Sequence, residues 1–248
     1  MAAEEAKTKM GGYGGMVSVV AEGSESAAEE TLMLWCTQQP TYSQHNAFVS
    51  QSSLSLYLDA CGHSLSIFQS PSSLGKPGVT GSVMWDSGVV LGKFLEHAVD
   101  SGLLLLQGKK VVELGSGCGL TEVAEKNVET NLKQGDLQGS ATVHELTWGD
   151  DPEPELIEPL PDYVLGSDVI YSEGAVADLL ATLMQLCGAQ TTIVLAGELR
   201  NDSILEYFLE AAMKDFMVGR VDQTQWHPDY CSPRVVIYIL VKKKSPTT

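Results

Sequence analysis

Residues 54–69 read Leu-Ser-Leu-Tyr-Leu-Asp-Ala-Cys-Gly-His-Ser-Leu-Ser-Ile-Phe-Gln. These are two runs of alternating polarity around an Ala-Cys-Gly-His turn, a pattern that predicts a β-hairpin. A loop rich in Ser, Gly and Pro follows over 71–81. A helix is then expected to begin near Asp86 or Ser87, either of which can cap it, and to end near Gly102. Its apolar stripe, Val90, Phe94 and Ala98, has helical spacing. Beyond it, strand-like segments at 110–114, 141–148, 162–169, 191–197 and 234–241 alternate with helical ones at 122–132, 175–186 and 203–216. That alternation predicts an α/β sandwich with a largely parallel central sheet, in which ligands sit at the carboxyl ends of the strands. The stretch 217–244 holds two strands with no helix between them, so they should pair antiparallel at one edge. Residues 1–30 mix Ala, Glu, Gly and Ser with few large apolar side chains. Such a segment buries too little surface to offset its ordering entropy, so a disordered tail is expected there and a single domain over 31–248.

Composition narrows the function. With 248 residues the chain is long enough for a substantial core, and none of its apolar runs approaches the roughly 18 to 20 residues of a membrane helix. The first residues, Met1-Ala-Ala-Glu-Glu, bring acid early and no apolar leader, so a cytoplasmic or nuclear location is expected. Fifteen Lys and Arg against 32 Asp and Glu give a net charge of -17, which repels a phosphate backbone and makes nucleic acid a poor partner. The same charge favours a protein segment that carries lysine, although it also serves simply to keep a protein soluble. Five cysteines, at 36, 61, 118, 187 and 231, and five histidines, at 45, 63, 97, 144 and 227, lie far apart. They fit neither a disulfide framework nor a metal-ligand pattern, so reduced thiols and no metal are expected.

The strand at 111–114 runs into Gly115-Ser116-Gly117-Cys118-Gly119-Leu120, with glycine at every second position. Glycine lets the backbone turn sharply and approach a ligand closely. The dinucleotide fingerprint spaces its glycines G-x-G-x-x-G, whereas Leu120 follows Gly119 here, which argues against a nicotinamide cofactor. A phosphate loop would need a lysine that this turn lacks. Glu113, by contrast, is well placed for a cationic cofactor. Tight strand-to-helix turns in purely structural settings use glycine as well.

Four segments together resemble methyltransferase family 16, of the methyltransferase-like 21 type. They are Thr80-Gly81-Ser82-Val83-Met84-Trp85-Asp86, Glu113-Leu114-Gly115-Ser116-Gly117-Cys118-Gly119, Leu146-Thr147-Trp148-Gly149-Asp150 and Ser167-Asp168-Val169-Ile170-Tyr171, and they occur in the family's order over about 54–243. The D-x-x-Y element at Asp168 to Tyr171 is the most specific mark. The resemblance implies a Rossmann-like seven-strand methyltransferase sandwich over 31–248, S-adenosylmethionine as methyl donor, and a lysine side chain of a protein as acceptor. It further implies that Trp85, Glu113, Gly115, Ser116, Gly117, Trp148 and Ser167 bind the cofactor, while Asp168 and Tyr171 position the substrate. A flat tryptophan ring can stack on adenine or meet a sulfonium charge, yet most tryptophans are core residues. Asp168 and Tyr171 would equally suit a capping Asp and a packed Tyr, but their joint spacing after an apolar strand favours the site.

One departure from the family stands out. In its members the glycine turn leads into a helix, a second strand ending in a carboxylate that holds the cofactor ribose, and then another helix. Only 26 residues, 115–140, lie between Leu114 and Ala141, and they carry one helical pattern at 121–132. A full βαβ unit takes ~30 or more. The first helix and second strand therefore look excised. Asp136 sits among Gly135, Gln138 and Gly139 with no preceding strand, so the ribose role is not assigned to it. Two readings follow: an active protein-lysine methyltransferase, or a catalytically impaired relative acting as a binding partner. The acidic loop 149–162, with six carboxylates among prolines, reads as a solvated linker, with a basic partner as the alternative.

Overall fold

The computed structural model describes residues 6–21, 23, 25–42, 46–74, 81–116, 121–134 and 139–244. Among them the strands are β1 (Lys7–Met10), β2 (Tyr13–Val19), β3 (Ser55–Ala60), β4 (His63–Phe68), β5 (Val111–Leu114), β6 (Tyr163–Ser167), β7 (Thr192–Glu198), β8 (Phe216–Val221) and β9 (Val235–Lys242). The α-helices are α1 (Ser26–Gln38), α2 (Asp86–Asp100), α3 (Thr121–Gln134), α4 (Pro154–Ile157), α5 (Glu173–Leu186) and α6 (Asp202–Asp215). Seven strands form one sheet in the order β1-β2-β8-β9-β7-β6-β5, and β3 and β4 pair separately. The expected α/β sandwich is present.

The middle of the sheet is buried on both faces. β9 is an unbroken apolar run, Val-Val-Ile-Tyr-Ile-Leu-Val, and it takes the position between β7 and β8 where neither face meets water. Its alternate residues divide between two cores. Val236, Tyr238 and Leu240 join Leu34 of α1, Leu179 and Leu183 of α5 and Phe208 of α6. Val235, Ile237 and Ile239 join Val90, Phe94 and Ala98 of α2. The stripe predicted for α2 is thus its buried face. Asp86, however, does not cap this helix. Trp85 is the N-cap, and the Asp86 carboxylate instead accepts from the backbone amides of Ala47 and Phe48 at 2.6 and 3.1 Å.

Three expectations change. The described residues of the 1–30 segment from Lys7 onward are not a disordered tail: β2 pairs antiparallel with β8, β1 pairs antiparallel with β2, and α1, which starts at Ser26, packs on α6. The glycines at 11, 12, 14 and 15 allow close approach, as where the Gly14 amide donates to the Leu103 carbonyl at 2.7 Å, and Tyr13 is buried against Phe94. Glu30 anchors α1 by accepting from Arg220 at 2.8 Å and from the Tyr238 hydroxyl at 3.2 Å. Second, only the β5-β6 and β6-β7 pairings are parallel. β8 and β9 do pair antiparallel, but β2 and β1 lie beyond β8 at that edge. Third, residues 141–147 form no strand. β5 pairs with β6 alone among the described strands, so this segment finds no neighbour, and Leu146 and Trp148 instead pack against the α5 side of the core.

The acidic loop is tied down too. The Lys110 ammonium donates to the carbonyls of Glu155 and Pro159, each at 2.6 Å, and Asp162 accepts from Lys109 at 2.9 Å, which holds its carboxyl below the ordinary range.

The predicted hairpin is β3-β4, turning through Cys61 and Gly62, both at positive φ as a two-residue turn of this twist requires. α3 docks on β4 through two amide side chains. Asn127 donates to the Phe68 carbonyl and accepts from its amide, at 3.1 and 2.7 Å, and Asn131 does the same to Ser66, both at 2.9 Å. Each asparagine stands in for a residue of a paired strand. Replacing Asn127 and Asn131 by Ala should lower the unfolding free energy by about 1 to 3 kcal/mol per site, since each leaves a donor and an acceptor of β4 unpaired. Urea unfolding of the two variants checks this, and unchanged midpoints would show that α3 is held by other contacts.

Candidate active site

Three parallel strands, β5, β6 and β7, bring their carboxyl ends to one rim, and the start of α2 meets them there. β5 ends in Gly115, whose φ is +77°. A Cβ at Gly115 would lie 2.8 Å from Val169 and 3.7 Å from the Trp148 ring, so the turn, the end of β6 and Trp148 are in mutual contact. Trp148 in turn faces Tyr171, with ring centroids 6.2 Å apart. Ser116 is exposed beside Gly115, and Gly117 lies outside the described residues. Ser167, at the end of β6, has its hydroxyl 3.5 Å from where a Cβ on Gly88 of α2 would sit. Glu113 presents an exposed side chain from β5, and that exposure tempers the rise in its carboxyl that desolvation by the surrounding protein produces. Trp85, Gly115, Trp148, Ser167, Asp168 and Tyr171 therefore converge around the carboxyl ends of β5 and β6.

Asp168 follows directly on β6 with φ +54°, a left-handed conformation that a short polar side chain tolerates better than most. Its amide donates to the Ala196 carbonyl at 2.9 Å. Its carboxylate is already engaged: Oδ1 accepts from the Glu198 amide at 2.9 Å and Oδ2 from Arg200 at 2.8 Å. Only 8% of that side chain is exposed. Asp168 is thus no open trap for an ammonium, as its assigned role alone would suggest. Arg200 also lies 3.3 Å from Glu198, and its guanidinium stacks over the Trp85 ring at 4.1 Å. One face of Trp85 is therefore taken by a cation of the protein itself.

Glu198, at the end of β7, was not a candidate from the sequence and is the centre of this cluster. Its fully buried carboxylate accepts from the Asp86 amide at 3.2 Å, the first residue of α2, and from Arg234 at 2.9 Å. Burial raises the Glu198 carboxyl above the ordinary range; Arg200 and Arg234 oppose that rise, while Asp168 and Asp86 add to it. Glu198 and Arg200 could have been suspected from one signal, charged residues at and just beyond the carboxyl end of an apolar strand, whereas Arg234 lies before β9 and had no such signal. Beside this cluster a cavity of about 130 Å³ opens between β7 and α6, lined by Ile170, Tyr171, Glu198, Arg200 and Ile204 among others. Its apolar wall suits an aliphatic stem.

The glycine turn after β5, a tryptophan from each side and an acidic residue with a tyrosine three positions on thus share one rim of the α/β sandwich. The family described as lysine methyltransferase matches residues 63–124 and 120–214, more than half of the chain, and the chain belongs to that family. The match comes in two pieces that meet at 120–124, immediately after the glycine turn, where the sequence lacks room for a helix and a strand. The chain is 35% identical over 179 residues to mouse protein N-lysine methyltransferase METTL21A, covering 64% of this chain and 77% of that protein. It is 34% identical over 191 residues to the zebrafish (Danio rerio) protein of the same name, covering 67% and 79%. It is 35% identical over 169 residues to mouse EEF1A lysine methyltransferase 3, covering 60% and 67%.

Two outcomes test this geometry. Gly115→Ala forces a side chain into positive φ and against Val169, and should cost on the order of 1 to 3 kcal/mol in urea unfolding; full stability would show that the turn relaxes freely. The second concerns pH. Because the folded state raises the Glu198 carboxyl, its stabilising contribution is present below the unfolded value of about 4.3 and is lost as pH rises through the folded value. Stability of Glu198→Gln relative to the parent should therefore improve between pH 4 and pH 7. A gap that stays constant or moves the other way would show that the arginines outweigh burial.

Proposed function

We propose that the protein transfers a methyl group from S-adenosylmethionine to a lysine side chain of a protein. The observation that carries this reading is the contact of Gly115 with Val169 and Trp148, which joins the glycine turn to the D-x-x-Y element in one site. Membership of the lysine methyltransferase family supports it, and the named relatives are themselves protein-lysine methyltransferases, so the non-catalytic reading has no support of its own.

The residues present fit the cofactor at the turn: Gly115 leaves open the space a Cβ would fill, and exposed Glu113 and Ser116 flank it. Glu113, Gly115, Ser116, Gly117, Trp148, Ser167 and Trp85 would hold it. When bound it supplies an electrophilic methyl group, which an amine lone pair takes while the carbon–sulfur electron pair stays on sulfur. The protein's own task is to hold the amine close and aligned, which can account for most of the rate in such a displacement. Tyr171 is placed to orient the amine, being 40% exposed at the mouth of the cavity and packed beside Trp148. Asp168 shapes the local charge. A free lysine with its pKa near 10.4 is almost wholly protonated at pH 7, so the amine must first give its proton to water. The acidic surface, with its charge of -17, suits a basic substrate segment.

Calorimetric titration with S-adenosylmethionine tests the reading, and a folded protein that binds none would sink it. The resemblance implies a ribose-holding carboxylate that is not assigned to any residue here; two charge-assisted hydrogen bonds of about 1.5 to 3 kcal/mol each would be forgone without it, so affinity should lie roughly 10² to 10⁴-fold below that of a variant that carries the segment. Inserting after Leu120 the helix and strand that the resemblance implies should recover most of that factor. Equal affinity before and after insertion would show that the segment contributes nothing to the pocket.

A further inference from the structure

Asp168 has both carboxylate oxygens occupied and stands within a cluster whose charges nearly cancel. Arg200 from the turn after β7 and the Glu198 amide from β7 bind it directly; Glu198 in turn meets Arg234 from the loop before β9 and the amide of Asp86 at the start of α2, and Glu198 and Arg200 line a cavity together with Tyr171. Asp86, Asp168 and Glu198 are three carboxylates against the two guanidiniums of Arg200 and Arg234, a balance of minus one. Without Arg200 the balance is minus two, and the lost charge is the one paired directly with Asp168. Arg200 is held on three sides, by Asp168 at 2.8 Å, Glu198 at 3.3 Å and the Trp85 ring at 4.1 Å. It lines the same cavity as Tyr171.

We propose that Arg200 is a positioning residue for the acceptor: by pairing with Asp168 against Trp85, it presents an incoming lysine with a charge-balanced wall at which the neutral amine, and not the ammonium, settles. This rests on the methyl-transfer reading above. A bare carboxylate at the same place would stabilise the ammonium, whose lone pair is unavailable, and would raise the lysine's pKa; an arginine-paired carboxylate keeps its hydrogen-bonding shape and loses most of that pull. A planar, permanently charged fork that also stacks on an aromatic ring suits this task better than a flexible lysine would. Arg200 is about a third exposed, so water screens the effect in part, and a tenfold change is the expected scale.

The test uses the full chain without cofactor and Nα-acetyl-lysine methylamide as probe, titrated by NMR from pH 7 to pH 9.5. For the unaltered protein, affinity should rise about tenfold per pH unit, following the neutral fraction of an amine with a pKa near 10.4. In Arg200→Gln, affinity at pH 7 should increase about tenfold and the pH dependence should flatten. The double variant Asp168→Asn with Arg200→Gln has the same net charge as the original pair and should recover the steep profile. Should Arg200→Gln fail to fold, Asp168→Asn alone decides, because it too must keep the steep rise. The proposal is overturned by a flat profile in the unaltered protein, by an unchanged profile in Arg200→Gln, by a flattened one in Asp168→Asn, or by a double variant that behaves as Arg200→Gln. Because the probe titration needs no cofactor, its failure is separable from a failure to bind S-adenosylmethionine.

Discussion

The site depends on the buried carboxylate of Glu198. A charge with no exposed surface persists in a protein only where it is paired and hydrogen-bonded, and here the partners come from three directions: the Asp86 amide at the start of α2, Arg234 before β9, and Arg200 on the turn after β7. Each bond fixes an element that carries something else. The start of α2 carries Trp85, Arg200 lies across its ring, and Arg200 is also the partner of Asp168. Removing Glu198 would leave two guanidiniums without their shared anion and free the first turn of α2, so the positions of Trp85 and Asp168 would loosen together.

A second constraint acts from the opposite side of the rim. β5, which leads into the glycine turn, has one partner strand among those described. Val111 and Glu113 on one face are exposed, whereas Val112 and Leu114 are buried against the α5 side. Parallel strands are ordinarily covered on both faces. The two halves of the site therefore differ in firmness: the β6-β7-α2 half is locked by an ionic cluster, and the β5 half is held by one strand pairing and by Trp148 and Val169 against Gly115.

That contrast also explains what could be read from the sequence. Elements whose pattern arises locally were legible: the alternation of 54–69, the apolar run of β9, the stripe of α2, the glycine at 115 that needs positive φ. Elements defined by distant partners were not. Gly11 to Gly15 look like a flexible tail until the Leu103 carbonyl and the rings of Phe94 and Tyr163 are set beside them. Residues 141–148 have the alternation of a strand, yet a strand requires a neighbour, and among the described residues the sheet ends at β5. Asp168 and Tyr171 were visible as a motif, whereas Arg200, which pairs with that aspartate at 2.8 Å, has no motif at all and enters through the fold.

These facts bear on how a lysine could be accepted by so acidic a protein. The net charge of -17 draws basic segments to the surface, but the same field opposes the proton loss that the chemistry requires, since a negative surround stabilises an ammonium. Attraction at long range and deprotonation at short range thus make opposite demands. The arrangement at the rim separates them by distance: the acidic surface acts over about a Debye length, ~8 to 10 Å, while within the site Arg200 and Arg234 nearly balance Asp86, Asp168 and Glu198. The apolar wall at Ile170 and Ile204 further disfavours a charged head group where the stem would lie. A protein can therefore be strongly acidic overall and still hold a local charge close to neutral, provided that a few cations, here Arg200 and Arg234, are paired with the buried carboxylates.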